Sequence, residues 1–278
     1  MSQPGPFGPF PDATPKPVSA SVTAAGGPAQ LEYLRTFQYI FENPNWIMNL
    51  VWSFLCQLAG QVIPIVPAMV FTGYQFEMLE DMQANRGTRY PDFDINRLME
   101  YLTRGIWPVL VILINALAIG AVVGMLALAT LICAGILGSA GGEDLAGLLV
   151  PIGVLVGGVL GIAVIAAASI YMTPMVLKAG LAQDLGAAFD FAWVNDFVRK
   201  MWVETLLSSL FMIGSILALV MVTCGLAAII IGPMMPFVST HFYYQLYSLY
   251  LTRGGTPIPL KPRVPLAPPG YVPPPQYS

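Results

Sequence analysis

The chain of 278 residues is 56% hydrophobic and only 10% charged, with a mean hydropathy of +0.70. Soluble domains carry about 25% charged residues, so a water-exposed surface cannot be built from this composition. The net charge of −3 and the lack of a basic block exclude nucleic acid as a partner and point to the lipid bilayer.

Residues 1–30 hold seven prolines and one lysine, without the apolar stretch of a cleavable signal peptide, and are expected to form a disordered Pro/Gly-rich tail. Four apolar regions follow, at 46–79, 107–137, 145–177 and 202–251. One span per region would split the basic residues seven to five between the two faces, which defines no orientation. The last region would be about 75 Å long as one helix, against a hydrocarbon core of about 30 Å, so it must fold back. Thr223-Cys224-Gly225 is the natural turn, and Gly60, followed by Pro64 and Pro67, breaks the first region in the same way.

The preferred reading is an all-α integral membrane fold with about six membrane-inserted helices. They form three hairpins (about 46–84, 107–184 and 202–251), each preceded by an amphipathic interfacial helix. All twelve lysines and arginines then lie on one face, the cytoplasmic one, together with both termini, and only Glu143 and Asp144 mark the other. The first helix, 46–59, reaches only about 21 Å and is either spanning or re-entrant. Residues 31–252 form the membrane domain. Residues 253–278 are expected to be a second disordered tail, whose strings Pro268-Pro269-Gly270-Tyr271 and Pro274-Pro275-Gln276-Tyr277 suit a polyproline-reading partner.

The hairpins carry an internal repeat. Phe93 to Trp107, FDINRLMEYLTRGIW, resembles Phe189 to Trp202, FDFAWVNDFVRKMW, and FQYIFENPNW is a looser copy ending at Trp46. In one copy Ile95, Leu98, Met99, Leu102 and Ile106 oppose Asp94, Arg97, Glu100 and Arg104, as in a helix lying in the headgroup plane. In the other, Val194, Phe197, Val198 and Met201 oppose Asp190, Asp196, Arg199 and Lys200. Trp46, Trp107 and Trp202 become interfacial anchors. Each return helix has a proline expected to bend it, Pro67, Pro174 and Pro236, with Gln75, Gln183 and Gln245 following.

The strings ENPNW (42–46), IPIVPAMVFTGY (63–74) and YPDFD (90–94) together resemble an uncharacterised bacterial membrane family, domain-of-unknown-function family 4013, over roughly residues 31–252. The resemblance implies a multi-pass protein of a bacterial inner membrane and adds no mechanism.

Gly120 and Gly124, and Gly153, Gly157 and Gly161, form small-residue faces for helix packing, inside the second hairpin or between copies. His241 is the single ionisable side chain placed deep in a span, and Asn115, Gln61 and Gln245 are further intramembrane polar candidates, with Gln57 beside them. Cys56, Cys133 and Cys224 have no metal-ligand spacing and read as small core residues, a disulfide between two of them being an alternative. No carboxylate is expected inside the spans, which argues against ion-coupled transport. The sequence has no P-loop, HExxH or GxSxG motif and no second histidine, so no catalytic residue, metal site or cofactor is assigned. The expectation is a non-enzymatic scaffold or accessory subunit, with a homo-oligomer or membrane-protein partner. An uncoupled transporter or channel for a small or lipid-like solute is the alternative.

Overall fold

The computed structural model describes residues 30–85, 90–225 and 228–261, and among these it holds helices and no strand. The strings at 268–271 and 274–277, and most of both proline-rich tails, lie outside the described residues. Helix α1 (Arg35–Gln38) runs into a 3-10 turn, Tyr39–Glu42, ahead of α2 (Trp46–Gly60) and α3 (Ile65–Ala84). A second 3-10 turn, Ile95–Arg97, opens α4 (Leu98–Ala182). The single turn α5 (Leu185–Ala188) links it to α6 (Phe191–Val222), and α7 (Ala228–Thr252) follows.

Local chemistry sets these boundaries. Asp94, Asp184 and Asp190 cap the turns and helices they precede, accepting from the backbone N–H of Asn96, Gly186 and Trp193. Gln183, left-handed at φ 51°, ends α4. The predicted turn Thr223-Cys224-Gly225 is where α6 stops, with Cys224 and Gly225 at φ 52° and 90°.

Helical backbone is continuous through the 85 residues of α4, about 128 Å if straight. A Cβ added at Gly157 would nevertheless lie 3.1 Å from Thr130 Oγ1, and one at Gly161 4.0 Å from Val123. A straight helix would separate Thr130 and Gly157 by about 40 Å, so the run doubles back between them.

The molecule has two unlike ends. One is an aromatic bundle in which Tyr74 packs edge-on against Phe71, Phe93, Tyr101 and Phe237, tying α3, α4 and α7 together, while its hydroxyl donates to the Pro91 carbonyl. Here α3 and α4 cross backbone to backbone. A Cβ at Gly73 would lie 1.8 Å from the Tyr101 carbonyl oxygen, and one at Gly105 1.8 Å from that of Met69. Glu77 faces Arg97 in the same antiparallel register. Toward the other end, Leu58, Val62, Leu117, Leu131, Val154, Met221 and Val222 are all exposed. Two stretches, Ile95–Cys133 and Phe191–Val222, are long and apolar enough to cross a membrane, and only 11% of the apolar window in each is buried. The core helix of a soluble protein would instead hide that surface.

Several expectations are corrected. No break occurs at Trp107 or Trp202, so the supposed interfacial helices are the first turns of α4 and α6. They also face the unexpected way. In α4 the polar side turns inward, where Arg97 and Arg104 meet Glu77 and Glu80 of α3, while Met99 is 70% exposed. In α6, Val194, Phe197 and Met201 join the core of the bundle. Pro67 sits in the first turn of α3, where its missing N–H breaks no helical bond, so it bends nothing, whereas Pro174 and Pro236 lie inside helices. The chain from 253 is not a loose tail at its start. Ile258 is buried, its N–H bonded to the Tyr247 hydroxyl, and the Thr256 carbonyl accepts from the Trp193 indole. Of the small-residue faces, Gly153 and Gly157 pack on Thr130, while Gly120 and Gly124 meet nothing within 4 Å among the described residues; the tightest helix approaches are at Gly73, Gly105 and Gly180. Cys56, Cys133 and Cys224 are free thiols, as the preferred reading has them, but they are not core residues: Cys56 is half-buried and Cys133 and Cys224 are exposed.

Candidate functional site

The arrangement of α7 starts from its prolines. Pro236 has no N–H to give the carbonyl of Gly232, one turn earlier, and Gln57 Nε2 of α2 fills that position at 2.8 Å. Ser53, also on α2, donates to the Pro233 carbonyl at 2.9 Å. From α3, Gln75 Nε2 donates to the Pro236 carbonyl at 2.8 Å, within reach of the Ser239 and Thr240 hydroxyls. Two glutamines thus hold the proline-bearing segment of α7 from two neighbouring helices.

Beside this joint is a cavity of about 390 Å³. Both limbs of α4 reach it, through Ile112 and Val176, as do α6 through Met212 and α3 through Phe76 and Leu79. Gln57, Thr72, Gln75, Ser239 and Tyr243 are its polar lining, and none of its lining residues is charged. The Thr72 and Tyr243 hydroxyls, and the amide oxygens of Gln57 and Gln75, have no hydrogen-bond partner among the described residues. The size falls in the roughly 300–1,000 Å³ range of small-ligand sites.

The charged groups gather at the aromatic end. Arg97 binds both Glu77 oxygens, at 2.6 and 2.8 Å, and also Glu100. Lys178 pairs with Asp190 at 2.6 Å and lies over the Trp193 ring; Lys200 pairs with Asp196 and lies over Tyr250. The hydrogen bond from Lys178 is the main cause holding the exposed Asp190 carboxyl below its ordinary range, helped by the Trp193 N–H. Glu77 and Glu80 are buried, contrary to the expectation that no carboxylate enters the helical interior. The salt-bridged guanidinium of Arg97 lets Glu77 do so.

The strings ENPNW and YPDFD come together at this end. Asn43, Asn45 and Asn49 all donate side-chain amides to Asp92, and Asn49 Oδ1 accepts from the Phe93 N–H. This cluster fastens the start of α2 to the loop before α4.

The sequence-derived candidates separate. His241 is buried but does not line the cavity; its ring stacks on Tyr39 and its Nδ1 lies 2.9 Å from Gln245 Nε2. Gln245 also takes the Glu32 N–H and donates to the Glu32 carbonyl, so this pair pins the segment before α1. Asn115 bonds the Val111 carbonyl of its own helix, not a neighbouring helix. Gln61 is exposed as the C-cap of α2, outside any buried network. Trp46 and Trp107 are half-buried and Trp202 is exposed. Of the repeat glutamines, only Gln75 lines the cavity. Thr72, Ser239 and Tyr243 were not singled out by sequence, although a polar residue facing a proline-broken turn is a signal for the Gln57 contact.

The sequence model of a family described as "Protein of unknown function (DUF4013)" matches residues 58–244, about two thirds of the chain. The matched range includes IPIVPAMVFTGY and YPDFD, excludes ENPNW, and covers every cavity-lining residue except Gln57. No curated protein and no solved structure matches the chain.

Proposed function

Because the chain belongs to the DUF4013 family, whose function is unknown, we propose its role from its own geometry: a multi-pass inner-membrane protein that binds a small or lipid-like solute and moves it without energy coupling. The observation that carries this reading is the uncharged cavity where α2, α3, both limbs of α4, α6 and α7 converge.

Three helical hairpins inserted from one face account for the placement of the polar groups. Asn43 bonds Asp92 at 3.0 Å and Lys200 bonds the Gly254 carbonyl at 3.0 Å. One span per apolar region would leave each of these pairs on opposite faces of a hydrocarbon layer about 30 Å thick. In the hairpin arrangement the aromatic, ion-paired end lies at the cytoplasmic face with both termini, and the exposed apolar limbs lie in lipid. No reaction and no cofactor form part of the proposal.

Reconstitution in liposomes tests it. The protein should accelerate exchange of a fluorescent, uncharged lipid between leaflets, and Met212→Trp, which fills the cavity from α6, should abolish the acceleration. Exchange no faster than in protein-free liposomes would sink the transport reading.

A second reading, the scaffold or accessory subunit, is favoured by Gly120 and Gly124, whose added Cβ atoms would meet open space. A close contact with another helix, from a second copy or a partner, would use that face. Cysteine cross-linking at 120 in membranes reads it directly.

A further inference from the structure

We infer that the cavity selects an uncharged lipid whose polar end carries a free hydroxyl, as in a diacylglycerol, and admits it sideways from the bilayer; this rests on the solute-binding reading above. Three features of the lining lead there.

The first is charge. None of the lining residues is ionisable in the physiological range, and the cations Arg97 and Lys178 are engaged elsewhere, by Glu77 and Asp190. A phosphate-bearing headgroup would enter without a counter-charge, and burying an unpaired ion costs far more than burying a hydroxyl.

The second is hydrogen-bond polarity. Both glutamine amides spend an N–H on carbonyls of α7, which leaves the oxygens of these two lining residues as acceptors. The Thr72 and Tyr243 hydroxyls can donate or accept. An alcohol matches this set because it donates to a glutamine oxygen and accepts from a hydroxyl. An ester or hydrocarbon without a hydroxyl leaves the acceptors unanswered.

The third is position. The lining residues Gln57, Ile112 and Met212 are each followed in sequence by an exposed apolar side chain, Leu58, Leu113 and Ile213. The helix faces next to the lining are therefore apolar and exposed, the surface a lipid chain would cover. Met212 also lies about 15 Å along α6 from Trp202, half the thickness of the hydrocarbon core. A volume of about 390 Å³ holds the polar end of a lipid and leaves its chains outside, among the exposed limbs.

The test is photo-cross-linking of the full-length protein in detergent with three probes sharing one diazirine-bearing acyl chain: a diacylglycerol, its hydroxyl-capped methyl ether, and a phosphatidylglycerol. The diacylglycerol should label peptides spanning 72–79 and 235–243, with the other two labelling them at least about fivefold less, the scale of one lost hydrogen bond. Thr72→Val combined with Tyr243→Phe, which keeps shape and so the fold, should cut diacylglycerol labelling to the level of the methyl ether. Equal labelling by phosphatidylglycerol, or no effect of the double substitution, overturns the selectivity while leaving solute binding standing. Absence of labelling by every probe overturns both.

Discussion

Glu77 is 3% exposed, on a helix that the sequence marks as apolar, and its carboxylate takes both terminal nitrogens of Arg97. Removing the charge leaves the guanidinium without its main partner. Glu77→Gln should therefore lower stability by about 2–3 kcal/mol, measured by thermal unfolding in detergent, and Glu77→Gln with Arg97→Gln should restore part of that loss. A double variant as unstable as the sum of the two single ones would show that the pair is not coupled. His241 gives a prediction of the opposite kind. Stacked on Tyr39 and bonded to Gln245 but away from the cavity, it anchors the segment at Glu32. His241→Ala should cost about 2 kcal/mol through the lost packing while leaving lipid labelling per folded molecule unchanged. The sequence made His241 conspicuous because it is a lone ionisable group in an apolar run. It concealed Glu77, because a carboxylate near the end of an apolar helix reads as solvated until a partner 20 residues later folds back onto it.

At the scale of the element, the end of α2, the start of α3 and the end of α6 were legible because Gly60, Pro64 and the Thr223-Cys224-Gly225 turn are local chemistry. Asp94 and Asp190, which the sequence places on the polar faces of two similar segments, turn out to be caps, a role the facial pattern does not signal. Helix contacts were less legible, because spacing alone does not say which glycine face meets a neighbour. Gly153 and Gly157 do meet Thr130, yet Gly120 and Gly124, at the same four-residue spacing, meet nothing, and the tightest crossing uses Gly73 and Gly105, which are not on one helix. The contrast is measurable. Gly105→Ala must push α3 and α4 apart at a backbone contact and should lose at least about 2 kcal/mol. Gly120→Ala and Gly124→Ala should be neutral or gain up to about 1 kcal/mol from helix propensity. The same thermal melts read all three, and a Gly120→Ala variant as unstable as Gly105→Ala would relocate the packing face.

For the whole molecule, the topologies differ in which residues share a side of the membrane. Contacts gather the chain near 32, 43, 92, 200 and 254 at one end, through Glu32 with Gln245, Asn43 with Asp92, and Lys200 with Gly254. Cys224 sits at the opposite end of α6 from Lys200, about 36 Å away along the helix axis. In a background with Cys56 and Cys133 replaced by serine, a membrane-impermeant maleimide should label Cys224 from outside intact cells. With Cys224 also replaced, Lys261→Cys should label only after permeabilisation, and Gly141→Cys should behave like Cys224. One span per apolar region makes different demands: position 141 would share the side of 261, and Cys224 would lie in the middle of the hydrocarbon, closed to the reagent from either face. Labelling of 141 and 261 from the same side would remove the three-hairpin arrangement. It would also remove the sideways entry to the cavity, because Met212 would no longer lie half-way through a helix that ends at Cys224.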